Sequence, residues 1–354
     1  ALPLVTSYTG PTQYNGHFEA FGGGSLIDLT AITAFAGGNG RSAQVFASFG
    51  GKVDLKNAPE FSGGAIDLRA NGANSVIDLS ALQAWTHTGG DTSRLWAQNG
   101  GKVLSPNLTS IVDVEIHVEG AGSQIDLGKV ADVSRTNISV LNGGQLALPL
   151  VTSYTGPSVY NGLLESFGGG SLLDLKTITS FTGGDGRSAR VFATNGGKVD
   201  FSKVATINGG ATDLRSTGAS AVLDASSLAS WTHTGGDLSR WWVRDGGTTI
   251  VAPTGIALKG VNMLVDGGGK VQGGPVSLLT GSTLETAGGF NASLVNAAGS
   301  ILPSAPIGLL PFGADFSQQI DGRLRVRFAG PGAGQFDTIT VAGQAALGGR
   351  LDVQ

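Results

Sequence analysis

The sequence predicts an all-β fold, a single-stranded parallel β-helix (β-solenoid). Three observations carry this. The segment Ala1-Leu2-Pro3-Leu4-Val5-Thr6-Ser7-Tyr8-Thr9-Gly10-Pro11 returns letter for letter at Ala147–Pro157, and 63 of the first 100 residues match their partner 146 positions on without a gap. Within each copy, Gly-bounded segments recur every 22–27 residues or so, about six coils to the 146-residue superrepeat. Those segments alternate apolar and polar residues and are rich in β-formers. Periods of this size mark stacked repeats, in which each unit buries its apolar face only against its neighbours.

One register reads Ser25-Leu26-Ile27-Asp28-Leu29, Lys52-Val53-Asp54-Leu55, Ser75-Val76-Ile77-Asp78-Leu79, Lys102-Val103-Leu104 and Ser123-Gln124-Ile125-Asp126-Leu127. A second reads Ala43–Ala47, Ala65–Arg69, Arg94–Ala97, Glu115–Val118 and Asn137–Val140. Between them lies an apolar step of three residues, as in Leu29, Ile32, Phe35 and Leu79, Leu82, Trp85. Thr, Ser and Gly fill the gaps, which favours bent extended chain over helix. Stacked coils place like residues in columns about 4.8 Å apart. Leu29, Leu55, Leu79 and Leu127 form one expected buried ladder. Tyr8, Phe35, Phe61, Trp85, Tyr154, Phe181 and Trp231 form an aromatic column, read either as internal stacking or as an exposed sugar platform. Asp28, Asp54, Asp78 and Asp126 face outward, with Lys and Ser columns beside them (Lys52, Lys102, Lys198) and solvent expected to offset like-charge repulsion.

The organisation expected is a continuous β-helix over residues 1–300. Copy one covers 1–146, copy two 147–251, and divergent coils 252–300. Pro303, Pro306 and Pro311 then mark a break within 301–316, followed by terminal β-coils up to 354 that continue the solenoid. The N-terminus opens in mid-pattern, which reads as a piece of a longer chain. The terminal stretch Gln335-Phe336-Asp337-Thr338-Ile339-Thr340-Val341-Ala342-Gly343, with Ala346-Leu347-Gly348-Gly349-Arg350-Leu351-Asp352-Val353, resembles the closing coils of bacterial autotransporter passenger regions and related large surface adhesins. That resemblance covers about the last 35 residues. It implies a right-handed β-helix that is secreted or displayed on the bacterial cell surface.

Composition narrows the function. The chain has 354 residues, 59 Gly, no Cys, 14% charged residues and a net charge of −4. Without Cys there is no disulfide, thiolate chemistry or Cys-ligated metal. No Lys/Arg stripe matches a phosphate backbone, so nucleic acid is not an expected partner. No apolar run of 18 residues occurs, so no segment is expected to insert in a membrane.

The most closely repeated cluster is Trp85-Thr86-His87-Thr88-Gly89-Gly90-Asp91-Thr92-Ser93-Arg94-Leu95-Trp96, which returns with two changes at Trp231–Trp242. His, Asp and Arg within eight residues offer a base, an orienter and an anion clamp. The same residues suit a turn in which Arg pairs with the nearby Asp. Calcium coils need Gly-Gly-x-Gly-x-Asp, but Arg41 and Arg187 stand at the positions next to the ligand site, so no metal or other cofactor is expected. Coils of extra length place their insertions after the three-residue step, at Thr9–Gly16, Ala36–Ser42 and Thr86–Ser93, and again at Thr155–Gly162, Thr182–Ser188 and Thr232–Ser239. Such insertions project from one side of a solenoid.

The candidate ligand contacts are therefore Trp85, His87, Asp91, Arg94, Trp231, His233, Asp237, Arg240, Tyr14, Tyr160, Arg41 and Arg187. The expected function is a structural or adhesive module that displays repeated loops to a cell-surface glycan or another surface protein. The alternative is a polysaccharide lyase or glycoside hydrolase on the same scaffold, for which the recurring Asp67-Arg69 and Asp213-Arg215 pairs are candidates.

Overall fold

The computed structural model describes residues 2–89, 91–157, 160–235, 237–286, 290–303, 307–332 and 334–354. Among them every regular element is a β-strand, and the sheet ladders run parallel. No helix is long and apolar enough to cross a membrane. The chain forms two compact units, residues 1–154 with 163–177, and residues 155–162 with 178–354.

In the first unit most coils contribute a long strand, a short strand and a third strand; the coil after Val114–Glu119 has only an isolated bridge in the third place. The long strands are Gly16–Phe21, Ala43–Ser48, Ile66–Asn71, Ser93–Gln98, Val114–Glu119 and Asn137–Leu141, hydrogen-bonded in that order. Asn137–Leu141 then pairs with residues 164–167. The register runs Phe18, Val45, Leu68, Leu95, Ile116, Ile138, Leu164, so six steps of unequal length add up to the 146-residue offset. The superrepeat is thus six coils, as the spacing predicts. Period-two alternation buries Val45, Leu68, Leu95, Ile116 and Ile138 and turns their neighbours outward.

The short strands include Leu26–Asp28, Lys52–Asp54, Val76–Asp78 and Lys102–Leu104. The following leucines Leu29, Leu55, Leu79 and Leu127 are fully buried, as expected. The outward Asp column is stabilised differently from expectation. Asp28, Asp54, Asp78 and Asp126 each accept a hydrogen bond from the backbone N–H two residues on, closing a turn. Thr30 adds its hydroxyl to Asp28, and Lys56 rather than Lys52 adds its ammonium to Asp54. The bonds from Thr30 hold the Asp28 carboxyl below its usual range.

The third strands carry the aromatic column. Tyr8, Phe35, Phe61 and Trp85 are in register, with ring centroids 5.2–5.4 Å apart. Phe35, Phe61 and Trp85 are at most 1% exposed, so the column is internal stacking and not a platform.

The second unit repeats the plan. Its long strands run Ala189–Thr194, Thr212–Thr217, Ser239–Arg244, Val261–Val265, Thr283–Thr286, Ser300–Pro303, Arg323–Val326 and Arg350–Val353. Phe181, Ile207, Trp231 and Leu258 stack in register within its core. The short-strand sheet ends at Lys270–Gln272, after which the coils tighten. Pro303 closes a strand paired with Thr283–Thr286. Farther on, Leu309–Phe312 pairs with Thr338–Val341.

Candidate binding surface

The extended loops are tied down at their bases. Gly10 and Gly16 donate backbone bonds to Ala36 and Ser42, and Asn15 accepts one from the Ser42 N–H. Gly37 and Gly38 lie so close to the Gly64 backbone that a Cβ on Gly37 would fall 2.1 Å from the Gly64 carbonyl oxygen. The Gly-Gly pair therefore serves close backbone approach.

In the loop Thr86–Ser93, Ser93 Oγ accepts from the Ile66 N–H at 3.1 Å and lies 3.1 Å from His87 Nδ1. The second copy repeats this, with Ser239 Oγ between the Thr212 N–H and His233 Nδ1, again at 3.1 Å. The pair fastens the loop to the preceding coil.

The twelve residues singled out from sequence part company here. Trp85 and Trp231 are core residues, 1% and 0% exposed, and offer no surface to a ligand. They leave the candidate set, because the three-residue apolar step points inward. His87 and His233 are half-buried behind their serines. Asp91, Asp237, Arg41, Arg187, Tyr14 and Tyr160 are exposed on the loops, Tyr14 to 78%. Arg94 does not pair with Asp91. It turns onto the outer face of the long-strand sheet, where it reaches Glu115 at 3.3 Å and Asp67 at 4.0 Å. Arg240 is the second residue of the equivalent strand, Ser239–Arg244, in the second unit. Gly90, Gly236, Ser158 and Val159 lie outside the described residues.

That outer face holds the densest arrangement of recognition chemistry. In the first unit Phe46, Arg69, Trp96 and His117 occupy one column in register. The Arg69 guanidinium sits 4.1 Å from the Trp96 ring centroid and 5.2 Å from that of Phe46. His117 stacks beyond Trp96 at 5.0 Å. Arg69 also forms a two-pronged pair with Asp67, Nε to Oδ1 at 2.8 Å and Nη2 to Oδ2 at 2.7 Å, so its plane is fixed between the rings. Asp67 is 1% exposed although it stands on the outward face, because these neighbours cover it. Glu119 takes bonds from His117, Asn142 and Gln98, which hold its carboxyl below its usual range against the upward push of burial.

The second unit repeats the sandwich residue for residue, 146 positions on. Arg215 lies 4.1 Å from the Trp242 ring and 4.6 Å from the Phe192 ring, and binds Asp213 through both carboxylate oxygens. Phe46, Trp96, Phe192 and Trp242 are all half-buried. Two faces of one chemistry, rings edged by guanidinium groups, are therefore presented by the two units.

Sequence reasoning picked out Asp-Leu-Arg and the terminal Trp of each cluster separately. It did not join them to Phe46 and Phe192. The period-two alternation placed each outward, but the partners lie 23 and 27 residues away along unequal coils. Among the described residues no group of acidic and His side chains is arranged to hold a metal ion.

No family model matches the chain, and no curated protein matches it. Among solved structures it is similar to a TibC-catalysed, hyper-glycosylated TibA fragment, at 12% identity, 99% of this chain and 93% of that one covered, and a TM-score of 0.31.

Proposed function

We propose that this chain is an adhesive module of a secreted or cell-surface bacterial protein, and that it contacts carbohydrate. The observation that carries the reading is the arginine held between two aromatic rings, Phe46-Arg69-Trp96 and again Phe192-Arg215-Trp242. Rings offer apolar area to the C–H faces of a sugar, and guanidinium edges offer donors to its hydroxyls. A rigid parallel ladder fixes these groups before binding, so little side-chain entropy is lost on contact. Two patches built on the same aromatic–arginine sandwich let weak contacts on one chain add by multivalency. The exposed loop residues Tyr14, Arg41 and Asp91, with Tyr160, Arg187 and Asp237 in the second copy, and the half-buried His87, Arg94, His233 and Arg240 beside them, extend the surface available to a glycan or to a protein partner. The terminal pattern from Phe336 to Val353 supports display outside the cell, as in the adhesins it resembles.

A lyase or hydrolase needs carboxylates free for acid–base work. Asp67 and Asp213 are instead committed to Arg69 and Arg215. A glycan array with the purified chain tests the proposal, alongside the double variant Trp96→Ala/Trp242→Ala. The expected result is retention of a defined glycan set, weakened at least about tenfold in the variant while its melting temperature stays within a few degrees. Absence of any glycan binding, or release of product from polysaccharides by the purified chain, counts against it.

A further inference from the structure

The two patches are not equal in charge, and we infer that the second recognises the anionic group of an acidic sugar, a carboxylate or sulfate ester on a pyranose ring. This rests on the reading of the face as a carbohydrate-contact surface and specifies the ligand class of one copy.

In the first unit the column beside the aromatic one reads Gln44, Asp67, Arg94, Glu115 in register. Arg69 and Arg94 are matched by Asp67 and Glu115, with the pairs in contact. In the second unit the same column reads Arg190, Asp213, Arg240, Asn262. Copy two thus has a cation where copy one has Gln44, and a neutral amide where copy one has Glu115. Three arginines, Arg190, Arg215 and Arg240, now stand against one carboxylate.

That carboxylate is already used. Both oxygens of Asp213 are bound by Arg215, and Asp213 is 1% exposed. Arg190 and Arg240 stand on the strands either side of Asp213, about 10 Å apart by two strand spacings. Among the described residues neither makes an ion pair or a side-chain hydrogen bond, and Arg190 Nε is sealed from solvent without a partner. Arg244, two outward positions beyond Arg240 on the same strand, has its own partner in Asp266 at 2.8 Å and does not add to the excess. A carboxylate or sulfate placed here meets two guanidinium groups whose planar donors suit such anions. The rings of Trp242 and Phe192 beside Arg215 favour an anion carried on a sugar over a bare ion. With the whole chain at −4, the local excess is a directed feature of this face.

Isothermal titration calorimetry of the whole chain tests this with four probes: oligogalacturonate, a sulfated heparin-derived hexasaccharide, neutral cellohexaose and sodium sulfate. Two charge-exchange variants accompany it. Arg190→Gln/Asn262→Glu gives copy two the charges of copy one, and Gln44→Arg/Glu115→Asn does the reverse. Both change outward positions, and unfolding curves check that they fold. The expected result is at least about tenfold tighter binding of one or both acidic probes than of cellohexaose, weakening as salt rises. Arg190→Gln/Asn262→Glu should lose that preference and keep the cellohexaose affinity, while the reverse exchange strengthens acidic binding. Which acidic probe binds tells carboxylate from sulfate. Equal affinity for acidic and neutral probes, an unchanged preference in Arg190→Gln/Asn262→Glu, or full competition by equimolar sodium sulfate overturns the inference and leaves carbohydrate contact standing. Failure of every sugar to bind overturns both.

Discussion

Asp67 faces outward on its strand yet is almost fully buried, and Arg69 alone takes both its oxygens. Removing the arginine leaves a charge that its neighbours shield from water, with only Arg94 near it at 4.0 Å. Arg69→Leu should therefore destabilise the fold by about 2–4 kcal/mol, toward the low end for a pair whose cation is partly solvated. Arg69→Leu combined with Asp67→Asn should recover most of that loss, because the uncompensated charge is gone. Guanidinium unfolding of the two variants reads this directly, and equal losses would show that the pair contributes only packing. The sequence displayed Asp-Leu-Arg twice. It could not display that the aspartate is covered, because the cover comes from the strands on either side.

Along a strand, alternation separates two kinds of aromatic residue that look alike in the sequence. Trp85 closes the three-residue apolar step and lies in the core at 1% exposure. Trp96, eleven residues on, stands outward over Arg69. Trp85→Ala should cost about 3–5 kcal/mol by leaving a cavity. Trp96→Ala loses mainly ring–cation contact and should cost no more than about 2 kcal/mol. Thermal or chemical melts of both variants give the comparison, and a Trp96→Ala loss as large as that of Trp85→Ala would contradict this division. The leucine ladder and the step Leu29-Ile32-Phe35 were legible in the sequence because burial follows strand parity and step spacing. The assignment of Trp85 and Trp231 to a ligand was not sustained, because a repeated Trp next to His, Asp and Arg carries no sign of which way its ring points.

For the molecule as a whole, stacked coils make stability a sum of neighbour contacts. A core lesion should then be felt locally. Trp85 pairs with Phe61 on one side and Ile111 on the other. In Trp85→Ala, amide exchange should accelerate in Ile66–Asn71, Ser93–Gln98 and Val114–Glu119, and stay unchanged in Val276–Leu278. Hydrogen exchange read by mass spectrometry checks this, and uniform acceleration along the chain would show a single cooperative unit instead.

The sequence by itself determined the solenoid, the six-coil superrepeat, the buried ladders and the repeated surface chemistry. All of these follow from periodicity, and periodicity is visible in one dimension. Only the tertiary structure decided which side chains meet on the outer face. Its coils are unequal, so Phe46, Arg69 and Trp96 come together through two different register steps, of 23 and 27 residues. The same register sets Arg190 and Arg240 around an aspartate already taken by Arg215. Contacts between strands depend on where each loop lets the chain return, and that is fixed by how the loops pack.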